Sequence, residues 1–147
     1  MKAGSSVPDW QRLRLYAACR GLPQGRSLAD WPVLQQYVKR ISKTRFWLRK
    51  LKGPKVVTVQ DGRGCRYALA DSDYNVIRIP ISLRYETAVL HELAHLVCPI
   101  EPAHGRAFAR TFLMLVEQYM GSTVGRALRQ GYALYQVSYR QPPTDPA

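Results

Sequence analysis

HELAHLVCPIEPAHGRAF, residues 91–108, holds every histidine of the 147-residue chain: His91, His95 and His104. Four residues of α-helix turn about 400°, so His91 and His95 emerge on one face, a single turn apart. Two imidazoles placed that way can reach one tetrahedral zinc ion at roughly 2.0–2.1 Å each. Glu92 sits about 100° round the helix, beside the metal position without having to bind it. A carboxylate there can take a proton from an attacking water. Five residues therefore supply two ligands and one base.

The flanking residues predict a helix at this point. Val89, Leu90, Leu93, Ala94, Leu96 and Val97 recur at spacings of three and four, which leaves both histidines at the border of an apolar stripe. Glu86 falls in the first turn, where a negative charge suits the helix dipole. Pro99 stops the helix at about Val97 or Cys98. A core helix with two hydrogen-bonded histidines would give the same periodicity, but not the clustering of the chain's whole histidine content.

A catalytic zinc site takes three protein ligands and keeps one position open. Glu101 and His104 are the candidates for the third. His104 is preferred, because the turn bracketed by Pro99 and Pro102 can bring it back over the first helix. Phe108, Phe112, Leu115 and Tyr119 then pack a second helix, with His104 in its first turn, against the first. Glu101 is better suited to capping that helix or to bonding a ligand imidazole from behind.

His-Glu-x-x-His followed by a proline-containing turn and His-Gly-x-x-Phe (His104, Gly105, Phe108) resembles the core of SprT-like metallopeptidases, small zincins. Three stretches are similar to a family assigned as metallohydrolases of actinobacteria and their phages. They are the segment around Val33–Trp47, the HELAH–HGRAF core and the tail MGSTVGRALRQGY. The similarity runs from about Leu28 to Tyr132; the core is specific and the outer parts match in pattern only. It implies a zincin-like fold and one Zn2+ per chain, with His91, His95 and His104 as ligands and Glu92 as base. It names no substrate, although the SprT-like likeness suggests proteins bound to DNA.

The chain carries 22 Lys+Arg against 10 Asp+Glu, a net charge of +12, which favours an anionic partner such as nucleic acid. Simple solvation of the basic side chains is the plain alternative. The charge is densest in residues 39–55, where eight residues are basic and none is acidic. Lys39, Arg40, Lys43, Arg45, Arg49, Lys50 and Lys52 are candidate phosphate contacts, with Phe46 and Trp47 set among them. Trp47 reads better as a core residue than as a stacking platform.

A helix over 29–42, with Pro32 in its first turn, precedes this run; its inner face would hold Val33 or Leu34, Tyr37, Val38 and Ile41. From Lys55 the period becomes two, which predicts strands at 56–60, 65–70 and 75–81 in an antiparallel meander. The last strand, with Ile77 and Ile79 on one face, is the expected edge that would pair with an extended peptide. Asp71 and Asp73 form a turn rather than a calcium loop. After Gly121, Ser122 or Thr123 can cap a short helix that Gly131 ends. Arg106 and Tyr132 are candidate stabilisers of an oxyanion.

The expected architecture is α+β: an antiparallel sheet of about three strands against helices. Residues 1–27 are a lead-in with a short helix bearing Trp10, Leu13 and Ala17 on one side; 28–140 form the domain and 141–147 a disordered tail. No apolar run approaches the ~20 residues that cross a bilayer, and three unpaired cysteines suit a reducing cytoplasm. Two functions other than peptide cleavage fit the same residues. One is a nucleic-acid-binding module with a structural zinc, and the other is hydrolysis of a non-peptide amide.

Overall fold

The computed structural model describes residues 7–140, so the expected tail at 141–147 lies outside the described residues. Helix α1 spans Arg12–Arg20 and buries Leu15 and Ala18. The side that bears Trp10 and Leu13 is turned away from the core, with Trp10 52% and Leu13 70% exposed. Gln11 is buried in their place because it makes a reciprocal pair with the backbone of Ser138, donating at 3.0 Å and accepting at 2.9 Å. Two hydrogen bonds to backbone fix which side of α1 faces inward, and they tie the lead-in to the far end of the chain.

Asp30 caps helix α2 (Trp31–Ser42) by accepting from the Val33 amide, with Pro32 in the first turn. Leu34, Tyr37, Val38 and Ile41 are buried, whereas Val33 faces solvent. A π-helical turn at Phe46–Lys50 follows, and Trp47 within it is completely buried, its indole N–H donating to Pro54 O at 2.8 Å. Phe46 packs edge-on against Tyr119. Both aromatics are engaged within the protein.

The sheet departs from the expected meander. Strands β1 (Thr58–Asp61), β2 (Leu69–Asp71) and β3 (Val76–Ile79) stand in the order β1-β3-β2. β3 runs parallel to β1 and antiparallel to β2, so the sheet is mixed rather than antiparallel. A period of two assigns side chains to faces but says nothing about which strand is the neighbour. The Asp61–Gly64 turn resembles a hairpin signal, yet the chain leaves it to cross to the other side of β3. Ile77 and Ile79 are therefore on the central strand and wholly buried, and cannot offer a peptide-pairing edge. β2 is the edge packed on the histidine helix.

Helix α3 (Glu86–Val97) buries Val89, Leu90, Leu93, Ala94 and Leu96, and ends before Pro99 as its sequence predicts. Helix α4 (Arg106–Met120) packs on α3 through Phe108, Phe112 and Leu115. Helix α5 (Ser122–Leu134) has no side-chain cap and runs straight through Gly131. A Cβ at Gly131 would lie 2.7 Å from Ala18 O. This glycine lets α1 and α5 approach closely; it does not end a helix. No helix among the described residues is long and apolar enough to cross a membrane.

Candidate metal centre

One turn of α3 separates His91 from His95, and the turn after it returns His104 to them. That turn is tight because Gly105 N–H donates to Pro102 O at 3.0 Å, and a Cβ at Gly105 would come within 2.7 Å of the Pro102 ring. His104 lies just before α4 rather than in its first turn. One imidazole nitrogen from each of His91, His95 and His104 lies within 4.8 Å of the other two, close enough to hold a metal ion. Glu101 is exposed and outside this cluster.

The spacing of two of these nitrogens is informative. Nε2 of His91 and Nε2 of His104 are 3.3 Å apart. Nitrogens bound to one tetrahedral zinc at about 2.0–2.1 Å lie roughly 3.3–3.4 Å from each other. Two lone pairs facing each other at that separation repel unless a cation or a proton lies between them. Burial holds His91 well below its ordinary pKa and lowers that of His95 to about 4, with neighbouring imidazoles adding to the effect. Both rings therefore stay neutral near neutral pH, the form in which imidazole binds metal.

His104 is held from behind by a residue of the lead-in. Oδ2 of Asp9 lies 2.7 Å from His104 Nδ1, while Oδ1 accepts the His104 backbone N–H at 3.1 Å. A carboxylate can only accept, so Nδ1 carries the proton and Nε2 points its lone pair at the other histidines. Asp9 thus takes the place expected for Glu101. It is the only acidic residue among the first 27, a signal too slight to pair it with a histidine 95 positions away. Replacing Asp9 with Asn should weaken zinc binding about 10- to 100-fold. Competition against a chelator of known affinity measures this, and unchanged affinity would remove Asp9 from the site.

Glu92 is 6% exposed, its Oε2 has no hydrogen-bond partner, and burial raises its pKa to about 7. It lines two hollows of about 280 and 440 Å³ that both touch His91. Both hollows share Tyr16, Ala68, His91 and Glu92. One continues past Tyr67, Leu83 and Phe112 and is chiefly apolar. The other continues past β2, His95 and His104 toward Ile100. Tyr16 points its hydroxyl at His104 Nε2, 3.3 Å away, and its ring lies 6.0 Å from that of His91. Nothing in its local sequence marks Tyr16 out.

Neither expected oxyanion donor reaches this space. Tyr132 is completely buried and donates to Ala109 O at 2.9 Å. Arg106 is exposed and lines neither hollow. The candidate phosphate contacts Lys39, Arg40, Lys43, Arg45, Arg49, Lys50 and Lys52 are all exposed, and none forms an ion pair among the described residues. Lys39 and Lys43 join Lys55 in a cleft along β1, the sheet edge away from the histidines.

Comparison with protein-family models, with curated proteins and with solved structures finds no match to this chain.

Proposed function

We propose that this protein is a zinc-dependent hydrolase that cleaves peptide bonds. The observation that carries this reading is the convergence of three imidazoles beside a buried carboxylate, one of whose oxygens has no partner in the protein. A buried, unpartnered carboxylate is costly to keep and needs a polar guest. His91, His95 and His104 would hold the ion. Zinc, when bound there, lowers the pKa of a water and polarises a carbonyl. Glu92 is placed to accept the proton of the attacking water and to return it to the leaving nitrogen.

The resemblance of HELAH–HGRAF to SprT-like zincins supports the same chemistry, and the mixed β/α arrangement around α3 is compatible with it. A structural-zinc module is less well supported. Such sites close with four ligands and favour cysteine, whereas the described cluster has three histidines and no fourth member. The basic cleft beside β1 favours a substrate carried on a polyanion such as DNA. The same metal chemistry would also open a non-peptide amide.

Elemental mass spectrometry of the purified chain and of His104→Ala tests the centre. About one zinc per wild-type chain is expected, with most of it lost from the variant. Incubating the zinc-loaded chain with a mixed peptide library, and sequencing new termini by mass spectrometry, tests the reaction. A chain that binds no zinc would overturn the proposal. One that binds zinc and cuts no peptide would shift it to another amide.

A further inference from the structure

We propose that Tyr16 is a catalytic residue of this centre, its hydroxyl donating a hydrogen bond to the substrate oxygen that becomes negative as the scissile carbonyl is attacked. This rests on the hydrolase reading above and adds a residue that the His-Glu-x-x-His core does not contain. Hydrolysis through a tetrahedral intermediate needs a fixed donor where that charge develops. The wall common to the two hollows is made of Tyr16, Ala68, His91 and Glu92. With His91 as ligand and Glu92 as base, Tyr16 is the one side chain in that common wall left to donate. Tyr67 and Tyr85 line only one hollow, and Ser72 only the other.

The hydroxyl also has a reason to turn toward substrate. In the metal-free protein it faces Nε2 of His104, 3.3 Å away. Asp9 holds the proton of that ring on Nδ1, so Nε2 has one lone pair to give. With that lone pair given to an ion, Nε2 would no longer accept from Tyr16, and the hydroxyl would be free to turn into the cavity that Tyr16 lines beside Glu92. The position is fixed by α1, which is anchored through Gln11 to Ser138 and packs along α5. The lead-in therefore supplies two functional groups: Asp9 sets a ligand and Tyr16 meets the substrate.

The test compares zinc-loaded wild type with Tyr16→Phe and uses acetohydroxamate, a small zinc chelator whose oxygens accept hydrogen bonds. Zinc affinity should be the same in both chains, because Phe keeps the ring packing and the proposal gives Tyr16 no share in holding the ion. Acetohydroxamate, followed by calorimetry, should bind the variant about 10-fold more weakly, the loss of one hydrogen bond to a charged acceptor. On any peptide the wild type cuts, kcat should fall about 10²- to 10³-fold with KM nearly unchanged. Asp9→Asn should behave in the opposite sense, with zinc weakened and the hydroxamate affinity of the loaded chain retained. Equal acetohydroxamate affinity in wild type and Tyr16→Phe would overturn the role of Tyr16 and leave the zinc centre standing. A weaker zinc affinity in Tyr16→Phe would also overturn it, by making Tyr16 a support for His104. A wild type that binds neither zinc nor acetohydroxamate would overturn the hydrolase reading, and the role of Tyr16 with it.

Discussion

Glu92→Gln should retain its zinc, lose at least about 10³-fold in hydrolysis, and yet leave the metal-free chain more stable than wild type. The first two effects follow from the place of Glu92 on α3, beside the histidines but outside the ligand set. Glutamine keeps the shape of the side chain and cannot accept a proton. The third follows from burial. Glu92 is 6% exposed, Oε2 has no partner, and its pKa in the folded metal-free chain is raised from 4.5 to about 7. The folded state thus holds a proton that the unfolded state has already released between those values. Stability is unaffected by Glu92 below the unfolded pKa, falls as pH rises through the window, and stays lower above it. The difference corresponds to roughly 3 kcal/mol at 1.36 kcal/mol per unit. Glutamine does not titrate, so its advantage should be absent near about pH 4.5 and complete near about pH 8. Urea unfolding of both metal-free chains at those two pH values reads the effect. An equal advantage at both would mean that the carboxylate is not desolvated in the way its burial indicates. Removing the ion is essential to the comparison, since a bound cation would stabilise the wild-type carboxylate.

The helix that carries His91 and His95 is legible because several local rules agree there: apolar spacing, an acidic first turn, Pro99 beyond the end and histidines at i and i+4. His104 was legible from the proline-bracketed turn, and Trp47 from the apolar residues around it. What lay beyond reach was set by distant contacts. Trp10 and Leu13 are more apolar than Gln11, so composition favours them for the inner face of α1. The bonds between Gln11 and Ser138, together with the burial of Leu15 and Ala18 against α5, reverse the choice. Asp9 and Tyr16 depend on that same rotation of α1, and they meet histidine positions 95 and 88 residues away. The sheet was misread because alternation in Val76–Ile79 reports a buried face and not a partner. An edge strand and a central strand differ in their neighbours before they differ in their residues. Gly131 was misread because glycine marks both helix ends and close backbone approaches. The approach of Ala18 decides between them.

Arg84→Met should lower the unfolding free energy by about 3 kcal/mol, because two carbonyls and a carboxylate lose their donor. Net charge suggests that the basic residues of this chain face outward, and Arg84 does not. Its side chain is 4% exposed and bridges three elements ahead of α3. The guanidinium donates to Ile79 O at the end of β3, to Ala29 O before α2, and to Asp61 Oδ1 at the end of β1, the last at 2.8 Å. Its carbon also lies 5.2 Å from the centre of the Trp31 ring. A planar fork can satisfy these acceptors together; a lysine could not, so Arg84→Lys should recover only part of the loss. Replacing a whole buried pair by apolar residues is often neutral or stabilising, but methionine here would leave two carbonyls and a carboxylate without their donor. Asparagine at position 61 keeps an oxygen that can accept from Arg84, at a side chain 40% exposed to water, so Asp61→Asn should cost only about 1 kcal/mol. Denaturant midpoints of the three variants give the order Asp61→Asn, Arg84→Lys, Arg84→Met from most to least stable. If Arg84→Met proved as stable as wild type, the three acceptors would have to be satisfied by solvent. The junction of α2, β1 and β3 would then be held by its apolar contacts alone.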